Sequence, residues 1–155
     1  MIDKVGWDGT WYITTKNKIT GAITEEKIKN RIMNAALNAF ADCLLGITPN
    51  YEIKYMAVGT SSAPITDTDT KLGSEIFRVQ PVAAPTRTNT GEITTEFQIL
   101  DSEAVATIEE IGIFCGSTAT SSADTGNLLS RILWHKVKSS SEELTFKRVD
   151  KIQRG

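Results

Sequence analysis

Few side chains in this sequence are of types that do catalytic chemistry, and their spacing does not bring them together. His135 is the one histidine, and it lies in a strand-like run between Trp134 and Lys136. A histidine in such a run is far more often solvent-facing or structural than a general base. The sequence also has no glycine-rich phosphate loop, nucleophile elbow or zinc-protease helix. We therefore expect no catalytic residue, no bound metal and no cofactor.

Two pairs of acidic residues are the remaining candidates for chemistry. Asp67 and Asp69, in the segment TDTDT, offer oxygen ligands for calcium, but the rest of an EF-hand loop is missing and a turn-capping role is favoured. Glu109 and Glu110 are adjacent in a strand-like run, where neighbouring side chains point to opposite faces. They cannot form a carboxylate dyad, and we expect one exposed charge and one edge charge. The sequence thus predicts a protein without enzymatic activity.

Two cysteines and three aromatic residues have structural interpretations. Cys43 lies in an apolar helix-like run and Cys115 ends a strand-like run, so both are predicted to be buried, reduced thiols. Trp7, Trp11 and Tyr12 are types that stack on sugar rings, although core or subunit contacts are their more frequent use. We predict these three side chains to be exposed contacts in an assembly. Glycan binding is the alternative, and it requires an exposed Trp or Tyr in a concave site.

Length and composition limit the architecture and the partners. With 155 residues, 40% hydrophobic and 23% charged, the chain is predicted to form a single domain over residues 1–155. No apolar run is long enough to span a bilayer, so no membrane is expected as a partner. The net charge is −2 and no cluster of Lys and Arg stands out, which argues against nucleic acid. The first residues lack a secretory signal pattern, so we expect assembly in a cytoplasm.

A single helix is predicted between Asn30, as its N-cap, and Gly46, as its C-terminal stop, with Pro49 beyond to prevent continuation. Apolar residues recur there at steps of three and four, which is the period of an amphipathic helix; they are Met33, Leu37, Phe40 and Leu44. We expect Phe40 and Leu44 to bury the helix against a sheet.

The rest of the chain has the alternation and turn residues of β-structure. Residues 1–29 contain two strand-like runs separated by a turn, which predicts an N-terminal hairpin. Residues 51–150 predict a series of strands, of which the clearest alternates Ile93, Thr95, Phe97 and Ile99 with polar residues. The predicted fold is mainly β: an antiparallel, jelly-roll-like β-sandwich with one amphipathic helix near the N-terminus.

Several segments of the sequence, in the same order, resemble small virion proteins of tailed bacteriophages. The first is YMAVGTSSAPITDTDTKLGSE, in which a strand runs into a Gly-Thr, Ala-Pro and Asp-Thr loop; its matching positions are Gly59, Thr60, Ala63, Pro64, Asp67 and Leu72. EEIGIFCG is similar to the family's Glu-Ile-Gly-Leu-Phe strand. GNLLSRILWHKV and ELTFKRVDKI resemble its later strands. The resemblance covers residues 51–150.

The resemblance implies a structural component of the phage particle, assembled in the cytoplasm of a bacterial host. A tail, baseplate or tail-fibre assembly module is the first expectation, and a capsid decoration or head-fibre protein is the alternative. A receptor-recognition domain that binds glycans is a weaker alternative. The expected partners are copies of the chain itself, in a homo-oligomer, and other virion proteins. The expected assembly contacts are Trp7, Trp11, Tyr12, Thr60, Asp67 and Asp69.

Overall fold

The computed structural model describes residues 3–47 and 50–155, and within them it has one helix and nine strands. In chain order these are β1 (Val5–Asn17), β2 (Ile23–Lys29), α1 (Asn34–Leu45), β3 (Ile53–Gly59), β4 (Glu75–Val79), β5 (Thr86–Asn89), β6 (Glu92–Ile99), β7 (Thr107–Cys115), β8 (Asn127–Val137) and β9 (Glu142–Arg154). Sheet A has the strand order β2-β1-β9-β6-β5, and sheet B has the order β4-β3-β7-β8. All strand pairs are antiparallel. The predicted mainly β sandwich with one helix is confirmed.

The core lies between the two sheets because alternate residues of each strand point inward. In β6, Phe97 and Ile99 are fully buried while Glu96 is exposed, as the alternation in the sequence predicts. The ring of Phe146 on β9 makes edge-on contacts with Trp11, at 6.3 Å between centroids, and with Trp134, at 5.8 Å. Such aromatic pairs add about 1 kcal/mol each beyond their burial. These rings therefore join sheet A to sheet B.

The predicted N-terminal hairpin is confirmed, and it is part of the sandwich. Thr10 to Lys16 of β1 pair with β2, and the whole of β1 also pairs with β9. The register runs from Val5 opposite Arg154 to Asn17 opposite Glu142. Strand β1 is consequently an interior strand of sheet A, hydrogen-bonded on both sides.

The helix begins at Asn34, and the prediction that Asn30 is its N-cap is wrong. The N-cap position is Met33, whose backbone is extended and whose side chain makes no capping hydrogen bond. The backbone N–H of Asn30 donates to the carbonyl oxygen of Gly9 at 2.8 Å, and its side-chain oxygen accepts from the Ser130 hydroxyl. These contacts hold the residues before α1 in an extended conformation beside β8, so the helix begins only at Asn34.

Gly46 ends the helix, as predicted. Its φ of 69° lies in the left-handed region that favours glycine, and its N–H bonds to carbonyl oxygens of the last turn. Pro49 lies outside the described residues.

The helix packs on its alanines, and the prediction that Phe40 and Leu44 bury it is wrong. Ala36 and Ala39 are buried, whereas Phe40 and Leu44 are exposed. Alanine has no side chain beyond Cβ, so an alanine stripe lets a helix backbone lie close to the strand beneath it. The larger apolar side chains then lie on a neighbouring stripe, to one side of the contact.

Candidate interaction surfaces

The loop between β3 and β4, residues 60–74, is held against the sandwich by one buried carboxylate. Glu110 on β7 is fully buried, and its Oε1 accepts the backbone N–H of Ser74 at 2.8 Å and of Ser61 at 3.3 Å. Its Oε2 accepts the N–H of Gly73 at 2.9 Å. Both ends of the loop are therefore fixed by the same side chain. The expectation that the two glutamates are an exposed and an edge charge is wrong for Glu110.

The charge of Glu110 is balanced by Arg131 on the neighbouring strand β8. Arg131 Nε donates to Glu110 Oε2 at 2.8 Å, and both side chains are almost completely buried. The remaining donors of the guanidinium reach the loop: Nη2 bonds the carbonyl oxygen of Ala63 at 3.0 Å, and Nη1 contacts Asp69 Oδ2 at 3.0 Å and Pro64 O at 3.3 Å. The planar fork of arginine suits such simultaneous bonding. We call this arrangement the Glu110–Arg131 clamp.

Asp69 caps a turn inside the loop, as predicted. Its Oδ1 accepts the Thr66 hydroxyl at 2.7 Å and its Oδ2 accepts the Thr66 N–H at 3.1 Å. Burial by itself raises the pKa of Asp69, but the hydrogen bonds from Thr66 and Arg131 outweigh it, so the pKa is lowered overall. Asp67 points outward and pairs with Arg31 at 2.8 Å. Within residues 3–47 and 50–155, no cluster of three His, Cys, Asp or Glu could hold a metal ion.

Gly59 ends β3 and Thr60 begins the loop, and the two residues have different roles. A Cβ on Gly59 would collide with Glu110 Oε1 and with the carbonyl oxygen of Ser74, so the clamp requires glycine here. Thr60 is exposed, and its backbone N–H donates to Ser74 O at 2.9 Å. Of the predicted contact residues, Thr60 and Asp67 therefore offer side chains to solvent on a loop of fixed shape.

Three segments that are distant in sequence meet at the clamp. The loop with its Gly-Thr and Ala-Pro pairs supplies the backbone groups, EEIGIFCG supplies Glu110, and GNLLSRILWHKV supplies Arg131. These segments are separated in sequence but form one continuous hydrogen-bonded unit. Sequence inspection missed this unit because each charged residue lies in an apolar strand, where its partner across the ladder is not apparent.

The N-terminal aromatic residues do not form one surface. The exposure predicted for Trp11 is wrong: its side chain is fully buried, with the Arg148 guanidinium 5.4 Å from the ring centroid. Trp7 is half-buried on the same inner face, and its Nε1 donates to Asp150 Oδ1 at 2.9 Å. Tyr12 points to the opposite face because adjacent strand residues alternate. The period of two was visible in the sequence and is the signal that separates Trp11 from Tyr12.

Tyr12 lies in a polar concavity of about 350 Å³ on the outer face of sheet A. Lys27 Nζ is 5.6 Å from the centroid of the Tyr12 ring, and Lys147 is the cross-strand neighbour of Tyr12 on β9. The lining contains four lysines and two carboxylates, and its residues are Asp8, Thr10, Tyr12, Lys27, Lys29, Glu92, Lys147, Val149 and Lys151. The Lys29–Asp8 and Lys151–Glu92 pairs, at 3.0 and 3.5 Å, neutralise part of the charge. The concavity keeps a positive excess beside an aromatic ring.

A second surface is apolar and lies beside α1. A groove of about 190 Å³ is lined by Val5, Trp7, Ile32, Leu37, Phe40 and Ile152. Leu44 continues the stripe of Leu37 and Phe40 by one helical turn and is exposed. We call Val5, Leu37, Phe40 and Leu44, with the groove between them, the apolar face. The helical period was evident in the sequence, but it gave no indication that the large side chains face solvent.

The remaining reactive groups are dispersed. His135 is exposed, as predicted, and its Nδ1 lies 2.9 Å from Glu109 Oε1. Cys43 is exposed and Cys115 is buried, and both are free thiols, so burial was predicted correctly only for Cys115. Burial raises the pKa of the Cys115 thiol to about 12, with a smaller opposing effect from Arg148. This thiol is therefore protonated at neutral pH and unsuited to act as a nucleophile.

Comparison of the chain with protein-family models, curated proteins and solved structures gave no significant match. In the part of the chain that the structure describes, no helix is both long and apolar enough to cross a membrane.

Proposed function

We propose that this protein is a non-enzymatic structural component of a tailed-phage virion, acting as an assembly module of the tail, baseplate or tail fibre. The observation that carries the proposal is the Glu110–Arg131 clamp. Each segment that resembles phage virion proteins is short, but three of them build a single buried unit. The residues that carry the resemblance therefore share one physical role in this chain.

The clamp also suits the protein to repeated assembly. A loop that is already ordered loses little conformational entropy when a partner binds it. The loop presents Thr60 and Asp67 to solvent while its backbone is fixed from below by Glu110. The proposed partners are other virion proteins and further copies of this chain.

Labelled particles test the location. A peptide tag after Gly155, decorated with gold-labelled antibody and imaged by negative stain, should place the protein on the tail or baseplate. Label on the capsid shell would favour the alternative of a decoration or head-fibre protein. Purified particles that carry no label, while the tagged chain accumulates in the infected cell, would refute a virion role.

Complementation of a phage that lacks this gene tests the absence of catalysis. His135→Ala and Glu109→Gln change an ion pair at the protein surface, so both variants should be incorporated and should restore infectivity. Asp67→Arg reverses an exposed charge on the clamped loop and should reduce incorporation. Normally assembled but non-infectious particles with either of the first two variants would instead indicate a catalytic role.

Glycan recognition is a second candidate, and the position of Tyr12 favours it. Tyr12 combines an accessible ring with a concave surface and lysines that would bind the acidic groups of a sugar polymer. Tyr12→Ala should then abolish adsorption of the phage to its host, while Thr14→Ala, on the same face of β1, should not. Equal adsorption by the two variants would remove this candidate.

A further inference from the structure

The apolar face has properties that the isolated chain does not explain. The exposed fractions are 68% for Val5, 55% for Leu37, 46% for Phe40 and 76% for Leu44. Helix α1 contains no Lys or Arg, and its one acidic residue, Asp42, accepts a hydrogen bond from the Tyr51 hydroxyl at 2.9 Å. No charge on this helix thus opposes burial of its apolar stripe.

The size of the apolar face matches one side of a homodimer interface. Taking 150–250 Å² for a large side chain, the four residues expose on the order of 450 Å² of apolar surface. A standard interface buries about 800 Å² per partner, and homodimer interfaces are about 65% apolar, which corresponds to roughly 500 Å². The largest apolar patch on a typical monomer has about this area and is often functional.

The arrangement of the apolar face is also self-complementary. Leu37 and Leu44 are seven residues apart, or about 10 Å along the helix axis, with Phe40 between them. If two helices pack antiparallel about a two-fold axis near Phe40, Leu44 of each copy lies opposite Leu37 of the other. The protruding Leu44 then enters the groove between α1 and the strand residues Val5 and Ile152.

We propose that a second copy of this chain binds the apolar face, with the two α1 helices antiparallel across a two-fold axis. This inference gives a location to the self-association that is part of the proposed function. Purified protein tests it without any phage, so its failure and the failure of the virion role are distinguishable.

Sedimentation equilibrium of the purified chain is the first test. The wild type should dimerise at micromolar concentration, and Leu44→Glu should weaken dimerisation by at least about 30-fold, because it buries an unpaired charge in the proposed interface. Leu44 is exposed, so thermal unfolding monitored by circular dichroism should show that this variant folds normally. Val137→Glu, at a similarly exposed apolar residue of β8, is the matched control and should leave dimerisation unchanged.

Cysteine cross-linking tests the orientation of the helices. In a Cys43→Ser background, a mixture of Leu37→Cys and Leu44→Cys chains should form a disulfide-linked dimer on mild oxidation. Each variant alone should not, because like positions would be about 10 Å apart in the antiparallel pair, beyond the reach of a disulfide.

A wild-type chain that is monomeric at about 100 µM, or equal dimerisation of Leu44→Glu and wild type, would overturn the proposal. A monomer whose Leu44→Glu variant also fails to enter particles would assign the face to another virion protein. Particles without label, together with a stable dimer in solution, would refute the virion role and leave the dimer in place.

Discussion

The Glu110→Gln substitution removes one charge from the Glu110–Arg131 clamp without changing its size. Oε1 accepts two backbone N–H groups, and Oε2 accepts one backbone N–H and the Arg131 guanidinium. A glutamine keeps only one of these acceptors. In either orientation of the amide, its NH₂ group faces two donors, and the Arg131 charge loses its ion-pair partner.

The expected cost is large because both side chains are buried. Removing one member of a buried ion pair destabilises a protein by about 3–5 kcal/mol, against a total stability of about 5–15 kcal/mol. For a chain of this length, that corresponds to a fall in Tm on the order of 10 °C. Urea denaturation, followed by fluorescence of the core tryptophans, gives the free energy of unfolding.

The neighbouring substitution Glu109→Gln is the control, since Glu109 is on the same strand and contacts the exposed His135. It should cost less than about 1 kcal/mol. The double variant Glu110→Gln with Arg131→Met should be less destabilised than the sum of the two single variants, because neither charge is then left unpaired. A loss below about 1 kcal/mol for Glu110→Gln, equal to that of Glu109→Gln, would show that the clamp does not hold the fold.

Three further predictions follow from burial and pKa. In native protein at about pH 8, a thiol reagent should modify Cys43 rapidly and Cys115 only as the chain unfolds. One thiol per chain should therefore react rapidly in the native protein, and two in denaturant. Rapid reaction of two thiols in the native protein would contradict the burial of Cys115. Because folding lowers the pKa of Asp69, its carboxylate stabilises the fold above the unfolded pKa, and this stabilisation is lost as pH falls through the folded value. Between about pH 5 and about pH 2 the wild type should therefore lose stability more steeply than Asp69→Asn in urea titrations, and parallel pH profiles would refute this. Met33→Ala should cost about 2–5 kcal/mol in chemical denaturation of the monomer, and Phe40→Ala less than about 2 kcal/mol, because only Met33 is fully buried; the reverse order would contradict the packing of α1.

Elements that depend on local pattern could be predicted from the sequence. The alternation around Phe97 identifies β6, and Gly46 identifies the end of the helix, because both signals lie within a few residues. The start of the helix could not be found locally. Asn30 is a good N-cap by type, but contacts with Gly9 and Ser130, both distant in sequence, keep it extended.

The candidate surfaces could be predicted only in part, for a related reason. A helical period shows that apolar residues share a stripe, but it does not show whether that stripe faces the core or the solvent. Which side faces the core depends on what packs beneath the helix. In α1 the small side chains of Ala36 and Ala39 take that position, and Leu44 is left outside. Likewise, a glutamate in a strand is interpreted as exposed unless its partner is known, and Glu110 finds Arg131 only through the pairing of β7 with β8.

The pairing of β1 with β9 has a consequence for the synthesis of the protein. Residues 142–154 supply the middle strand of sheet A, and the N–H of Gly155 donates to the carbonyl oxygen of Lys4 at 2.7 Å. During synthesis on the ribosome, β1 cannot pair with β9 until nearly the whole described chain has been translated. Closing so long a loop slows folding. During that interval the edge of β1 that later pairs with β9 has no strand beside it, so nascent chains are open to aggregation and to capture by chaperones.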